Sequence, residues 1–209
     1  GYTWWGRPDD WYTILEVSAN YDRTETTSGQ MLEEEIEGDF VYRGSRQSVL
    51  VGFSGWRNRN YEQVNFKQSF HGFYFEFQPR NNMILELEGR YDHNHIDYEH
   101  VRAGDRWTLE VETDLKLGRH IHFNIEHEWQ RMDVDPGRLY TANITQMHLV
   151  YQFTRRMFLR TILQYVDYNR NTAFWEDDVD TQSQYLFSQV LFSYKVNPRT
   201  VLFLGYSDN

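Results

Sequence analysis

Carboxylates recur at every second position in three stretches of the chain: Glu86 and Glu88, then Glu110, Glu112 and Asp114, then Glu126 and Glu128. Arg90, His120, His122 and Arg160 keep the same alternation and belong to the same polar set. Acidic groups brought this close do one of two things. They raise one another's pKa values and draw in cations, or they are neutralised by basic partners, here Arg90, Lys116, Arg160 and the histidines. His120 and His122 beside glutamates could also move protons, but no nucleophile stands in a workable arrangement with them. The sequence therefore predicts no enzyme.

Metal chemistry has two weaker candidates. His93, His95 and His100 share a stretch with Asp92, Asp97, Glu99 and Asp105, a mixture of imidazole and carboxylate that suits transition metals, although the spacing matches no established site. Asp133 and Asp135, and the run Glu176, Asp177, Asp178 and Asp180, offer clustered oxygens for Ca2+. Neither run has glycine where an EF-hand loop requires it. No cofactor is expected beyond structural Ca2+ in extracellular loops.

The elements that must position these residues are strands. From Trp107 to Leu117, apolar Trp107, Leu109 and Val111 interleave with Glu110, Glu112 and Asp114. After the turn at Gly118-Arg119, Ile121, Phe123 and Ile125 interleave with His122, Glu126 and Glu128; Leu85 and Leu87 alternate in the same way with Glu86 and Glu88. Successive strand side chains point to opposite faces, so one face is greasy and the other ionic. Each arm has about 11 residues or more, enough for a tilted strand to cross a bilayer. Strand-like runs at 12–23, 31–42, 47–57, 61–78, 82–98, 105–117, 119–133, 139–153, 156–169, 184–196 and 199–207 predict about 11 strands. An interruption between Ile144 and Met147 reads as a bulge. Tight turns near 78–82, 117–119, 154–156 and 196–199 alternate with longer polar stretches near 92–105, 131–139 and 168–184.

This is the pattern of an all-β, antiparallel transmembrane barrel of outer-membrane type, with residues 1–209 forming one domain. Its lumen would carry Glu86, Glu88, Arg90, Glu110, Glu112, Asp114, His120, His122, Glu126, Glu128 and Arg160. Leu85, Leu87, Trp107, Leu109, Val111, Ile121, Phe123 and Ile125 would face lipid. A mean hydropathy of -0.76 does not oppose this, because only every second residue of a barrel strand meets hydrocarbon. Aromatic residues reach 17%, as girdles at two interfaces require, and Trp4, Trp5, Trp11, Trp107, Trp129, Tyr165 and Tyr206 are the girdle candidates. Trp4 and Trp5 could instead stack on a sugar ring. The formal charge of -10 argues against nucleic acid, and the absence of cysteine excludes disulfides and thiolate metal sites.

The segments Leu149–Tyr165 and Phe192–Asn209, with their Tyr-Gln-Phe and Asn-Pro-Arg-Thr pieces, resemble the C-terminal part of an uncharacterised Gram-negative envelope family. Its members carry a carbohydrate-binding family-nine-like module followed by a long β-rich region of unknown function. The resemblance implies a barrel that is one part of a longer protein, as do the odd strand count and an ending directly after a strand. The expectation is thus a pore, or a membrane anchor for a larger envelope assembly, in the bacterial outer membrane, with lipid, lipopolysaccharide and other envelope proteins as partners. The competing expectation is a soluble lipocalin-like or sandwich protein binding a small ligand, with its apolar faces turned inward. Strands this long, with Trp and Leu on one face, would overfill a small soluble core.

Overall fold

A chain that alternates apolar and polar residues satisfies both sets only when it is extended between two different surroundings. The protein takes that form along nearly its whole length. The computed structural model describes residues 1–175, 177–197 and 199–208. It contains twelve strands: β1 (Tyr2–Trp5), β2 (Ile14–Glu25), β3 (Met31–Arg43), β4 (Val49–Tyr61), β5 (Val64–Arg80), β6 (Met83–Asp97), β7 (Arg102–Leu117), β8 (Ile121–Val134), β9 (Gly137–Thr154), β10 (Met157–Arg170), β11 (Gln182–Asn197) and β12 (Thr200–Asp208). Each pairs antiparallel with its sequence neighbours in one meander. Among the described residues there is no α-helix, only 3-10 turns at Ser45–Gln47 and Thr172–Phe174. Among the described residues no pairing joins β1 to β12, so the sheet is open with two free edges.

The count is twelve rather than 11. The additional strand is β1, too short to display a period, and it is a strand only because Tyr2 to Trp5 lie opposite Val17 to Ile14 of β2. The expected bulge between Ile144 and Met147 is also absent: β9 keeps an unbroken register there with both β8 and β10. The register shifts lie elsewhere, at Thr24/Glu25, Phe77/Arg80, Asp92/His95, Met132/Asp133, Met157/Phe158 and Lys195/Asn197.

Connections alternate between two ends. One, here the turn end, holds 44–48, 81–82, 118–120 and 155–156; the other, the loop end, holds 26–30, 62–63, 98–101, 135–136 and 171–181. The polar stretches 92–105 and 131–139 are therefore not long loops. The ladders run on to Asp97 and Val134, leaving turns of four and two residues. Backbone hydrogen bonds hold a hairpin together whatever its side chains, so polarity alone did not mark a loop.

The register sorts the faces. Leu85, Leu87, Trp107, Leu109, Val111, Ile121, Phe123 and Ile125 share one side, joined there by Phe73, Tyr91, Trp129, Leu149 and Leu163. This apolar face is uncovered: Trp107, Leu109 and Val111 are 46%, 41% and 44% exposed. The buried apolar residues Phe66, Phe70, Met132, Val134, Ala142 and Val166 lie on the opposite, ionic face, toward the loop end.

Candidate functional site: the glutamate face

Four adjacent strands bring the carboxylates into lateral rows. Glu76 of β5 lies opposite Glu86 of β6, which lies opposite Glu112 of β7, which lies opposite Glu126 of β8. One step toward the loop end, Glu88, Glu110 and Glu128 form a second row across β6, β7 and β8. Directly opposed Cβ atoms are about 5 Å apart, where like charges repel by about 1 kcal/mol in water and a few times that where the local dielectric is lower. Among the described residues none of the seven glutamates has an ion pair. Their neutral contacts include Tyr74, whose hydroxyl donates to Glu76, and Asn124, whose amide donates to Glu112.

Among the described residues, the basic residues expected to neutralise them pair with none of these seven glutamates. Arg90 binds Asp92 at 2.8 Å, and Lys116 is 3.9 Å from Asp114, which also meets His122. Arg160 is on the same face but two strands beyond Glu126, and it has no ion pair among the described residues. His120 is not on the strand: it belongs to the turn before β8, where its Nδ1 meets the carbonyl of Gln152 and its ring stacks on Tyr151. Glu76 completes the first row and was not among the sequence candidates. The signal was there, since Glu76 follows Tyr74 in the alternation of β5, but only the cross-strand register reveals its neighbour.

The loop end of the same face is organised differently. Asp92, only 5% exposed, is held between Arg90 and Arg106, at 2.8 and 3.0 Å. Arg57 binds Glu35 and Glu33, and Arg59 reaches both carboxylate oxygens of Glu33. Arg57 and Arg90 also lie over the Phe70 ring, 5.4 and 5.1 Å from its centroid. Phe70 is packed so close to the backbone that a Cβ on Gly55 would come within 2.4 Å of its ring.

The metal candidates divide. Asp97, Glu99 and His100 place one ligating atom each within 4.8 Å of one another. However, Arg102 donates to the same Asp97 oxygen that His100 meets, both at 2.9 Å, so a guanidinium already fills the cation's place. The Asp97 carboxyl, at the extreme loop end of β6, titrates below its ordinary range: burial alone would raise it, and the hydrogen bonds from Arg102 and His100 outweigh burial. His93 instead pairs with Asp105, and His95 lies along β6 opposite Gly104. Of the Ca2+ candidates, Asp133 is bound by Arg131 and Asp135 occupies the turn after β8; Asp177, Asp178 and Asp180 belong to the 171–181 connection, and Glu176 lies outside the described residues. These five described aspartates form no group of three ligating side chains.

The aromatic candidates also divide. Trp4, Trp107, Trp129, Tyr165 and Tyr206 share the apolar face, Trp5 takes the other face of β1, and Trp11 lies in the connection to β2, stacked on Tyr42. Tyr91, Trp107 and Trp129 border a hollow of about 470 Å3 that also borders on Phe73 and Leu109. It opens on the side away from the carboxylates. No family model matches the chain, and no curated protein matches it.

Proposed function

We propose that this sheet is the wall of an outer-membrane β-barrel whose apolar face meets lipid and whose glutamate face lines a hydrated, cation-attracting passage. One observation carries the reading: long strands leave an apolar face uncovered while charged rows and buried residues share the other. Burying Leu109, Val111 and their neighbours inside a lipocalin-like core would require the opposite arrangement. From Trp107 to Leu117, ten steps of about 3.4 Å tilted by about 40° span roughly 26 Å, close to the ~25 Å apolar band of such barrels. Trp107 and Trp129 with Tyr91 at one end, and Tyr151 and Tyr194 toward the other, occupy the positions of interface girdles. Lipid and lipopolysaccharide are the partners this surface suits.

The unpaired glutamates favour a passage over a passive anchor. A face selected for stability alone would alternate charge sign across strands, as the loop end does. Seven unneutralised carboxylates cost folding energy and leave a negative potential that concentrates cations.

Two measurements test this. Purified protein should partition with detergent rather than salt, migrate in a heat-modifiable manner, and have Trp107 and Trp129 fluorescence quenched by brominated lipid chains. Extraction by salt alone would remove the membrane reading. In planar bilayers the protein should conduct with a reversal potential favouring cations, and Glu86→Gln with Glu112→Gln should weaken that preference. A silent bilayer would remove the passage and leave the anchor.

A further inference from the structure

Residues 171–175, which follow β10, do not extend away from the sheet; they fold back over the loop end of the ionic face. The Asn171 amide donates to the Leu139 carbonyl on β9 at 2.9 Å. Phe174 and Trp175 pack against Met132 and Val134 of β8 and Leu139 of β9. Arg102, on β7, donates through Nη2 to the Phe174 carbonyl at 2.8 Å. The segment and the Arg102 side chain together bridge from β10 to β7, three strand spacings or about 14 Å across the face.

Each contact is of a kind that holds a segment in place. Met132 and Val134 are 3% and 5% exposed, so the aromatic pair closes a small dry core at the loop end. Arg170 lies 4.0 Å from the Tyr168 ring centroid and 5.8 Å from that of Trp175, and His100 meets Trp175 edge-on at 5.7 Å. Arg102 is itself fixed by Asp97. The latch thus links the 98–101 hairpin to the 171–175 segment.

We propose that residues 171–175 form a constriction at the loop-end mouth of the passage, latched by Arg102 and seated by Phe174 and Trp175. This rests on the reading of the glutamate face as a lumen. A segment that, with the Arg102 side chain, bridges about 14 Å of that face removes cross-section from the passage and puts Arg170 and Arg102 ahead of the glutamate rows. Permeant ions would then meet a narrow aromatic mouth before the acidic wall.

The test uses the whole chain in three forms: unaltered, Arg102→Ala, and Phe174→Ala with Trp175→Ala. The double variant leaves every strand ladder intact, so it remains informative if Arg102→Ala does not fold; heat-modifiable migration identifies folded protein. In planar bilayers, each variant is expected to raise single-channel conductance by about twofold. In detergent micelles, chymotrypsin should cut slowly after Phe174 or Trp175 in the unaltered protein and about tenfold faster in Arg102→Ala. Open channels of unchanged conductance in the folded variants would overturn the constriction while leaving the passage intact. If all forms are silent, the passage itself fails and proteolysis decides: protection lost on Arg102→Ala retains the latched segment as a plug, whereas rapid cutting of the unaltered protein refutes it.

Discussion

The two ends of the ionic face treat charge in opposite ways. Toward the loop end, carboxylates are held by guanidinium groups: Asp92 has two, Glu33 has two, Glu35 and Asp97 have one each. A few residues toward the turn end, Glu76, Glu86, Glu112 and Glu126 stand shoulder to shoulder with none. The difference follows burial. Asp92 is closed off from water and could not remain ionised without partners, whereas the glutamates are half-exposed or exposed and leave their repulsion to solvent screening. Charge is neutralised where the wall is packed and left bare where it would meet water.

The sharpest way to break this contrast is to remove Asp92. Asp92→Ala leaves Arg90 and Arg106 facing each other across β6 and β7 with no anion between them, and should cost about 3 kcal/mol, within the range for breaking a buried pair. A denaturant titration of the folded protein in micelles should show the midpoint fall. The mirror experiment is Glu112→Gln, which removes a charge lying between Glu86 and Glu126. It should raise stability by about 1 kcal/mol, because two like-charge neighbours are relieved and no ion pair is lost. Destabilisation by Glu112→Gln would show that an unrecognised cation partner holds that row.

Much of this contrast was legible in the sequence, but only one strand at a time. The period-two alternation of β6, β7 and β8 identified their two faces and all but one of the glutamates, because side-chain direction in an extended chain follows from counting. What counting cannot supply is register. Glu76 gains its meaning from lying opposite Glu86, and Arg90, two residues from Glu88, binds Asp92 along its own strand. The loop end was misread for a related reason: residues 92–105 and 131–139 hold charges that pair within continuing hairpins, as His93 does with Asp105 and Arg131 with Asp133. The inward fold of Phe174 and Trp175 left no periodic trace, since 3-10 turns carry too few residues to show one.

An effect no larger than that of Asp92→Ala should come from the packing that supports the paired zone. Gly55→Ala directs a methyl group to within 2.4 Å of the Phe70 ring, which lies beneath Arg57 and Arg90. The ring and the Ile36 carbonyl, 2.7 Å from the same carbon, must both give way, and overpacking of this kind costs about 1–3 kcal/mol. The control is Gly52→Ala on the same strand, where nothing lies within 4 Å of the added carbon. Equal unfolding midpoints for the two variants would show that the Phe70 contact is soft.

Acid should distinguish the two zones with the smallest change. Asp97 is held below its ordinary value of 3.8 by Arg102 and His100, against the opposing push of burial. A carboxyl that binds its proton less readily folded than unfolded contributes stability above the unfolded value, and that contribution is lost as pH falls through the lower folded value. The clasp between Asp97 and Arg102 should therefore hold at pH 5 and above and loosen only below about pH 4. Chymotrypsin is inactive at such pH, so pepsin cleavage between Asn171 and Trp175 is the suitable readout, accelerating as the clasp protonates. Asp97→Asn should cut at a faster rate already at about pH 4 and show a flatter acid response. Asp92→Asn, which leaves the Asp97 clasp untouched, should keep the steep acid response at residues 171–175; if it flattened that response as much as Asp97→Asn, the pH sensitivity would belong to the whole paired zone rather than to the clasp.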